Sequence, residues 1–300
     1  MLTRILIYCI LYPLSLLPLS ILYKLSVLVK IVVCDWIGYR KDVVKTNLHN
    51  YFPEKSEEEL LLIEKQYRTH LCHQFVEGVK MLTLSKEKVL EHYHCKNPEL
   101  VNQYFDQGQS VVLMSSHYNN WEWMVLSLAL QFRHHGVGVG KANTNKVFEK
   151  LVNRARTRYG TEVVFADTVR ETFEKYEQEH QPCAYMMLCD QSPANVNKSY
   201  VTMFLHQPSA IIYGAEYFAR KYHYPVLYYV VRQPRTGYYE IELEPICDNA
   251  SDIPYGKVIE EYVARLERDI TSQPPYWLWS HRRWKLHIPE EMMPQRQQTC

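Results

Sequence analysis

The sequence predicts an α/β protein in which a layered sheet is flanked by helices and preceded by an apolar N-terminal region. From residue 110 onward, short apolar runs rich in β-branched residues alternate with longer stretches in which apolar residues recur at helical spacing. Hydrophobic residues make up 47% of the 300-residue chain. This content is enough for a large buried core and excludes a disordered chain.

The N-terminal region covers residues 1–37 and is the first predicted element. Within it, residues 5–23 form a run of 19 uncharged residues, which is long enough to span a bilayer. Pro13 and Pro18 interrupt this run, and a proline inside a helix removes a hydrogen bond and kinks the helix. We therefore expect a helical membrane-seating segment ahead of an α/β domain at 38–300.

The charge of this region fits a membrane surface. Residues 1–50 carry six basic and two acidic residues, which suits anionic headgroups whether the segment spans the bilayer or lies in its interface. A buried N-terminal helix of a soluble protein is the alternative. A cleaved signal peptide is disfavoured because the first alanine is Ala129, so that no Ala-x-Ala cleavage site precedes it.

The later elements are predicted from residue 40 onward. Residues 40–82 have apolar residues at helical spacing, and Ser56 followed by Glu59 is typical of a capping box. Further helices are predicted at residues 120–132, 144–159, 168–180, 211–222 and 253–271. Strands are predicted at residues 110–115, 137–139, 161–165, 183–189, 224–232 and 238–244.

Charge and cysteine content exclude some classes of function. Lys and Arg number 34 and Asp and Glu number 33, whereas a nucleic-acid-binding protein normally carries a strong basic excess. We therefore expect no nucleic-acid partner. The eight cysteines include no C-x-x-C pair and predict neither a metal site nor a disulfide framework. Positive charge is concentrated at residues 141–160, which carry six basic residues and one acidic residue.

The residues best suited to chemistry follow the strand predicted at 110–115. Ligands of open α/β sheets bind at the carboxyl ends of the strands, and His117 lies just beyond this one. Glu122 is five residues further on and can fold back to the imidazole, which leaves the second ring nitrogen as a general base. The alternative is a structural role, in which His117 caps the loop and Glu122 stabilises the helix dipole.

Several segments of the chain resemble the lipid A biosynthesis acyltransferases (the late, lauroyl/myristoyl enzymes), which carry the His-x4-Asp/Glu motif of the lysophospholipid acyltransferase-like families. HYNNWE (117–122) is the HxxxxE form of that motif. The other similar segments are GYRKDVVKTNLHNYFPEKSEEE (38–59), NTNKVFEKLVNRARTRYG (143–160), CDQSP (189–193), FLHQPSA (204–210) and PPYWLWSHRRWK (274–285). Together they cover nearly the whole chain in the family's order.

The chain departs from the family pattern around the histidine. It has Ser116 where the family typically has glycine, and Tyr118 and Asn119 where the family has a Phe-Gly pair. We expect these departures to bear on the identity of the acyl acceptor more than on the chemistry.

The resemblance implies a glycerolipid acyltransferase-like fold and a membrane-associated acyltransferase. The reaction implied is transfer of a fatty acyl chain from an acyl thioester to a hydroxyl of a lipid A precursor. Acyl carrier protein is the expected donor, and acyl coenzyme A is the alternative. The implied location is the bacterial inner membrane, with the active domain on its cytoplasmic face. Because a thioester is already activated, neither a metal nor a cofactor is expected.

The resemblance also implies roles for individual residues. His117 is the general base and Glu122 orients it. Arg154 and Arg158 lie four apart on a predicted helix and are candidates to bind the oxyanion or a substrate phosphate, with solvated helix charges as the alternative. The other expected substrate-binding residues are Asn120, Asp190 and Gln191. The last two either position substrate or cap a turn.

Other functions are open on the sequence alone. The same chemistry could acylate another lipid, such as an aminolipid or a glycolipid. The chain could also be a membrane lipid-binding protein without turnover, although a His117–Glu122 pair argues against this. A serine hydrolase is disfavoured because the sequence has no G-x-S-x-G motif.

Overall fold

The computed structural model describes residue 3 and residues 6–293. Its α-helices are α1 (Tyr12–Leu16), α2 (Leu19–Lys30), α3 (Lys41–Tyr51), α4 (Glu57–Lys80), α5 (Lys86–His92), α6 (Glu99–Asp106), α7 (Trp121–Gln131), α8 (Lys146–Arg156), α9 (Val169–Gln178), α10 (Gly214–Tyr222) and α11 (Lys257–Ser272). Short π-helical stretches lie at Ile7–Leu11 and Ile31–Trp36. Single 3₁₀ turns lie at Val196–Lys198, Ala250–Asp252, Pro274–Tyr276 and Glu290–Met292.

The strands form one large mixed sheet and one hairpin. They are β1 (Tyr93–Cys95), β2 (Val111–Ser115), β3 (His135–Gly140), β4 (Glu162–Phe165), β5 (Cys183–Leu188), β6 (Ser199–Phe204), β7 (Gln207–Ile212), β8 (Val226–Arg235) and β9 (Tyr238–Cys247). The large sheet has the order β1-β9-β8-β2-β5-β3-β4, and its neighbours are parallel except for the antiparallel pair β8–β9. The predicted α/β class with flanking helices is confirmed.

Helices cover both faces of the sheet. The first half of α4 packs on one face together with α3, α9, α10 and α11, while α5, α6 and α7 pack on the other. All five residues of β2 are buried as a result. A strand covered on both faces is apolar throughout rather than alternating, which explains the continuous apolar run in the sequence. Polar side chains are therefore brought together at the carboxyl edge of the sheet.

The N-terminal segment, residues 6–39, is helical but broken. Leu17 has an extended backbone with a ψ of 149°, and Pro18 begins the next helix as its N-cap, because proline has no N–H with which to continue α1. Pro13 lies in the first turn of α1, where a missing N–H costs nothing. Among the described residues, no helix combines the length and the apolar character needed to cross a membrane.

The single helical region expected at 40–82 is two helices, α3 and α4. The capping box at the start of α4 is present as the sequence indicates. The backbone N–H of Glu59 donates to Ser56 Oγ at 3.3 Å, and the backbone N–H of Ser56 donates to Glu59 Oε2 at 2.8 Å. This reciprocal bonding satisfies two N–H groups that the start of any helix leaves without a partner.

The helix expected at 211–222 is wrong at its start. The chain forms the β6–β7 hairpin first, and α10 begins only at Gly214. The hairpin turns at Leu205 and His206, which both have left-handed backbones with φ of 52° and 61°. Such two-residue turns are normally signalled by Asn-Gly or Asp-Gly, and neither is present here, so the sequence contained no usual sign of this hairpin.

Candidate active site

Two neighbouring parallel strands bring His117 and Asp190 together. β2 and β5 pair in a register that places Ser115 opposite Leu188. His117 and Asp190 each follow that pair by two residues, and they therefore leave the sheet side by side at its carboxyl edge. This is the edge at which open α/β sheets bind ligands.

The Asp190 carboxylate is buried and holds His117 by two hydrogen bonds. His117 Nδ1 lies 2.8 Å from Asp190 Oδ1, and the backbone N–H of His117 donates to Oδ2 at 3.1 Å. The indole N–H of Trp277 also donates to Oδ2, at 3.0 Å. Burial acts to raise the pKa of Asp190, but the His117 charge and these three hydrogen bonds outweigh it and lower the pKa below its usual value. The carboxylate is thus ionised, and Nδ1 of His117 carries the proton.

The other ring nitrogen of His117 faces Gln191. The two Nε2 atoms are 3.1 Å apart, and the His117 side chain is 17% exposed. In the neutral imidazole with its proton on Nδ1, the free electron pair is on Nε2, which then accepts from the Gln191 amide. The amide N–H thus lies where the O–H of an alcohol would donate to the imidazole, at a place that a molecule from solution can reach.

The expected contact between Glu122 and His117 is wrong. Glu122 instead forms a two-point ion pair with Arg156 on α8, at 2.7 Å from Nη2 to Oε1 and 2.9 Å from Nε to Oε2. The reason is geometric: α7 begins at Trp121 after a left-handed residue at Asn119, and its second residue points towards α8 rather than back to β5. The carboxylate that contacts the imidazole therefore comes from a different strand.

Arg154 lies on the predicted helix, now α8, whereas Arg158 does not. Arg154 is exposed and continues a stripe with Lys146 and Lys150 at four-residue spacing. Arg158 lies beyond the end of α8, so the two arginines do not share a helix face, and its guanidinium donates to three backbone carbonyls. The sequence analysis did not select Arg156 as a site residue. The four-residue spacing of Lys146, Lys150 and Arg154 could have indicated it, because Arg156 lies off that exposed stripe and faces Glu122 on α7.

Asn120 is also a structural residue rather than an open substrate ligand. It is the N-cap of α7, with its Oδ1 accepting the backbone N–H of Trp123 at 2.9 Å. Its Nδ2 donates to Glu77 at 2.7 Å, and the residue is only 2% exposed. Asp190 is equally buried, so that of Asn120, Asp190 and Gln191 only Gln191 is partly open to solvent.

The departures from the family pattern, Tyr118 and Asn119, do not face the His117 ring. The Tyr118 hydroxyl donates to the backbone carbonyl of Asp269 at 3.1 Å, and the Asn119 amide donates to that of Val231 at 2.7 Å. Asn119 has a φ of 58°, a left-handed conformation that favours glycine and that asparagine tolerates best among the other residues. Both departures thus serve the fold of the turn, and the expectation that they select the acceptor is not supported.

The C-terminal part of the domain closes the site from one side. The backbone N–H of Ser192 donates to His281 Nε2 at 3.3 Å, and burial lowers the pKa of His281 to about 4. Arg283 is buried and donates to the carbonyl of Ala210 at 2.6 Å, while burial lowers its pKa to about 10. At neutral pH the site therefore combines a neutral second histidine with a buried cation that favours the ionised state of Asp190.

The described residues offer no set of side chains suited to bind a metal ion. Residues 6–293 contain no group of three or more His, Cys, Asp or Glu side chains arranged to hold a metal ion. His92, which lies near His94 and Cys95 in sequence, instead places its Nδ1 2.7 Å from the carbonyl of Gly237.

The arrangement can remove a proton from a hydroxyl at His117 Nε2 while Asp190 stabilises the resulting imidazolium. A comparison with models of known protein families matches residues 2–286 to the family described as bacterial lipid A biosynthesis acyltransferase. A comparison with curated proteins found no match.

Proposed function

Because the chain belongs to the bacterial lipid A biosynthesis acyltransferase family, we propose that it transfers a fatty acyl chain from an acyl thioester to a hydroxyl of a lipid A precursor. As a member of that family it is an acyltransferase. The observation that carries the proposal is the His117–Asp190 pair, which leaves Nε2 free to act as a base at the carboxyl edge of the sheet.

In the proposed reaction, His117 Nε2 takes the proton of the acceptor hydroxyl as the hydroxyl oxygen attacks the thioester carbonyl carbon. Asp190 stabilises the imidazolium and keeps its ring orientation. The carbonyl oxygen carries negative charge until the carbon–sulfur bond breaks. His117 then returns the proton to the leaving thiolate, so the products are an ester and a free thiol. Gln191 moves aside to admit the hydroxyl.

We assign the stabilisation of that negative charge to Arg156. Glu122 holds its Nε and Nη2, which fixes the plane of the guanidinium. Among the described residues, its Nη1 makes only a long 3.5 Å contact with Asn153 Oδ1 and can therefore turn to an incoming anion. Glu122 is thus a positioning residue for Arg156. In the HxxxxE motif, the histidine is the base, and the glutamate holds the arginine that stabilises the oxyanion.

A membrane location is supported by apolar side chains that the fold leaves uncovered. Most of the exposed large apolar residues among those described lie in the N-terminal segment, including Leu28, Trp36 and Ile37 at 60%, 78% and 70% exposure. Apolar side chains exposed in such number in one segment are typical of a surface that contacts a membrane or another protein. We place the protein at the bacterial inner membrane, with the catalytic domain on the cytoplasmic face, where thioester donors are made.

The donor is proposed to be acyl carrier protein. The stripe of Lys146, Lys150 and Arg154 on α8 presents three cations at helical spacing, and the same helix carries Arg156. An acidic carrier protein is attracted to such a stripe, and so is anionic coenzyme A. Rates with the two thioesters of the same acyl chain, measured in one assay, decide between them.

The proposed acceptor is tested by lipid mass spectrometry of a strain that lacks this protein. We expect lipid A that is short of one acyl chain, with the chain restored by a plasmid carrying the wild-type sequence. A plasmid carrying His117→Ala at the same protein level is the matched control and should not restore it. Intact lipid A accompanied by loss of an acylated aminolipid would instead assign the same chemistry to that acceptor.

The membrane seat is tested by vesicle flotation. Serine at Leu28, Trp36 and Ile37 together is expected to lower partitioning into vesicles of phosphatidylethanolamine and phosphatidylglycerol by about tenfold or more, because each apolar side chain buried in lipid contributes about 1 kcal/mol or more. The matched control places serine at Met203, Tyr217 and Tyr255, which are also exposed, at 45%, 41% and 62%, but lie outside the N-terminal segment. Equal partitioning of both triple variants contradicts the proposed seat.

A further inference from the structure

Glu77 on α4 is a buried carboxylate that receives hydrogen bonds from three other elements. It is 0% exposed, and Tyr23 Oη, Asn120 Nδ2 and Tyr239 Oη donate to it at 2.6, 2.7 and 2.7 Å. Burial raises the pKa of Glu77 to about 7, against the three hydrogen bonds, which act to lower it. No cation among residues 6–293 contributes to the pKa of Glu77. A buried carboxylate of this kind stabilises a fold less well than an apolar side chain of the same size, so packing alone does not explain this residue.

One of these bonds leads to the turn that carries His117. Asn120 uses its amide nitrogen to donate to Glu77 and its amide oxygen to accept the backbone N–H of Trp123. The indole N–H of Trp123 donates in turn to the backbone carbonyl of Glu77 at 3.0 Å. Glu77 therefore holds both the N-cap and the first turn of α7, which begins four residues after His117 and carries Glu122.

A second bond leads to the N-terminal segment. Tyr23 lies on α2 and donates to Glu77 Oε1. Close by on α4, the Lys80 ammonium group donates to the carbonyls of Ser15 and Leu17, at 3.0 Å each, where the chain breaks between α1 and α2. Residues 77–80 of α4 are thus hydrogen-bonded both to the N-terminal segment and to the N-cap of α7.

We propose that Glu77 is a positioning residue of the acyl-transfer reaction, and that through Tyr23 and Asn120 it makes the N-terminal segment part of the support of the His117 turn. The inference rests on the proposed function, because it assigns Glu77 to that reaction. One buried carboxylate, Glu77, is hydrogen-bonded both to the N-terminal segment, through Tyr23, and to the N-cap of α7 after the His117 turn, through Asn120. Loss of the carboxylate loosens the turn without touching a group that contacts substrate.

The test compares Glu77→Gln and Tyr23→Phe with the wild-type full-length protein in mixed micelles containing a lipid A precursor. Because small displacements of a reacting group cost up to about 100-fold in rate, we expect Glu77→Gln to lower kcat about tenfold and Tyr23→Phe about threefold. The KM for the acyl donor should stay within about twofold. Hydrogen–deuterium exchange should be faster in a peptide covering 117–126 and unchanged in one covering 169–178, which lies on α9.

Tyr8→Phe is the matched control, since it removes a phenol hydroxyl from the same segment at a residue that is 68% exposed. It should change neither kcat nor exchange. The inference is overturned if Glu77→Gln and Tyr23→Phe exchange and turn over like wild type, or if kcat falls only in proportion to the folded fraction. If Glu77→Gln does not fold, Tyr23→Phe decides the matter. Absence of acyl transfer by the wild type would instead overturn the proposed function.

Discussion

Replacing His117 with alanine is expected to lower kcat for acyl transfer by about 10³-fold or more, with the fold intact. General bases contribute about 10²- to 10⁴-fold to such reactions, because a neutral alcohol hydroxyl is a weak nucleophile until its proton is removed. The His117 ring is partly exposed, and without it the buried Asp190 carboxylate still accepts from the backbone N–H of residue 117 and from Trp277, so the fold should persist with some loss of stability. Purified protein in mixed micelles, with the acyl product measured by mass spectrometry, checks the rate.

The matched control for this prediction is His94→Ala. His94 is exposed on the edge strand β1, and its loss should leave turnover unchanged. Thermal unfolding of His94→Ala should lie close to that of wild type, and that of His117→Ala somewhat below it, because the buried Asp190 carboxylate loses one of its three donors. Turnover of His117→Ala within a few-fold of wild type, at equal folded fraction, would show that the base is elsewhere.

The sequence predicted the residues of this site better than it predicted their contacts. Local patterns placed His117 after one apolar strand and Asp190 and Gln191 after another, and both placements are correct. The pairing of β2 with β5 joins segments more than seventy residues apart, and no local pattern encodes it. Without that pairing, the nearest carboxylate in sequence, Glu122, was the natural choice as the partner of His117.

Long-range packing, which no local pattern encodes, also explains why the sequence pointed to Arg154 and Arg158 rather than to Arg156. Helical spacing alone grouped Arg154 with Arg158, but that argument needs the helix to continue, and α8 ends at Arg156. The face of α8 that meets α7 is fixed by long-range packing through the buried Ala155, and it turns Arg156 towards Glu122. The fold class, by contrast, depends on alternation of periodicities along the chain and could be predicted directly.

Asparagine at Asp190 is expected to lower kcat by about 10³-fold or more, and to change which nitrogen of His117 carries the proton. The carboxylate accepts from the ring, from the His117 backbone and from Trp277, and an asparagine oxygen can satisfy only part of that set. An amide N–H facing Nδ1 favours the tautomer with the proton on Nε2, which cannot accept a proton from an alcohol. Loss of the corresponding carboxylate in serine proteases has an effect of about 10⁴-fold for this reason.

Glu122→Gln distinguishes the role of the Glu122 carboxylate from that of Asp190. If Glu122 serves Arg156, as the ion pair indicates, this variant also loses activity but leaves the His117 tautomer unchanged. Nitrogen-15 NMR of histidine-labelled protein distinguishes the two, since protonated and unprotonated ring nitrogens differ widely in chemical shift. We expect the Nδ1–H form in wild type and in Glu122→Gln, and the Nε2–H form in Asp190→Asn. A tautomer that changes in Glu122→Gln and not in Asp190→Asn would return Glu122 to the role that its spacing first suggested, because only the residue bonded to Nδ1 controls where that proton resides.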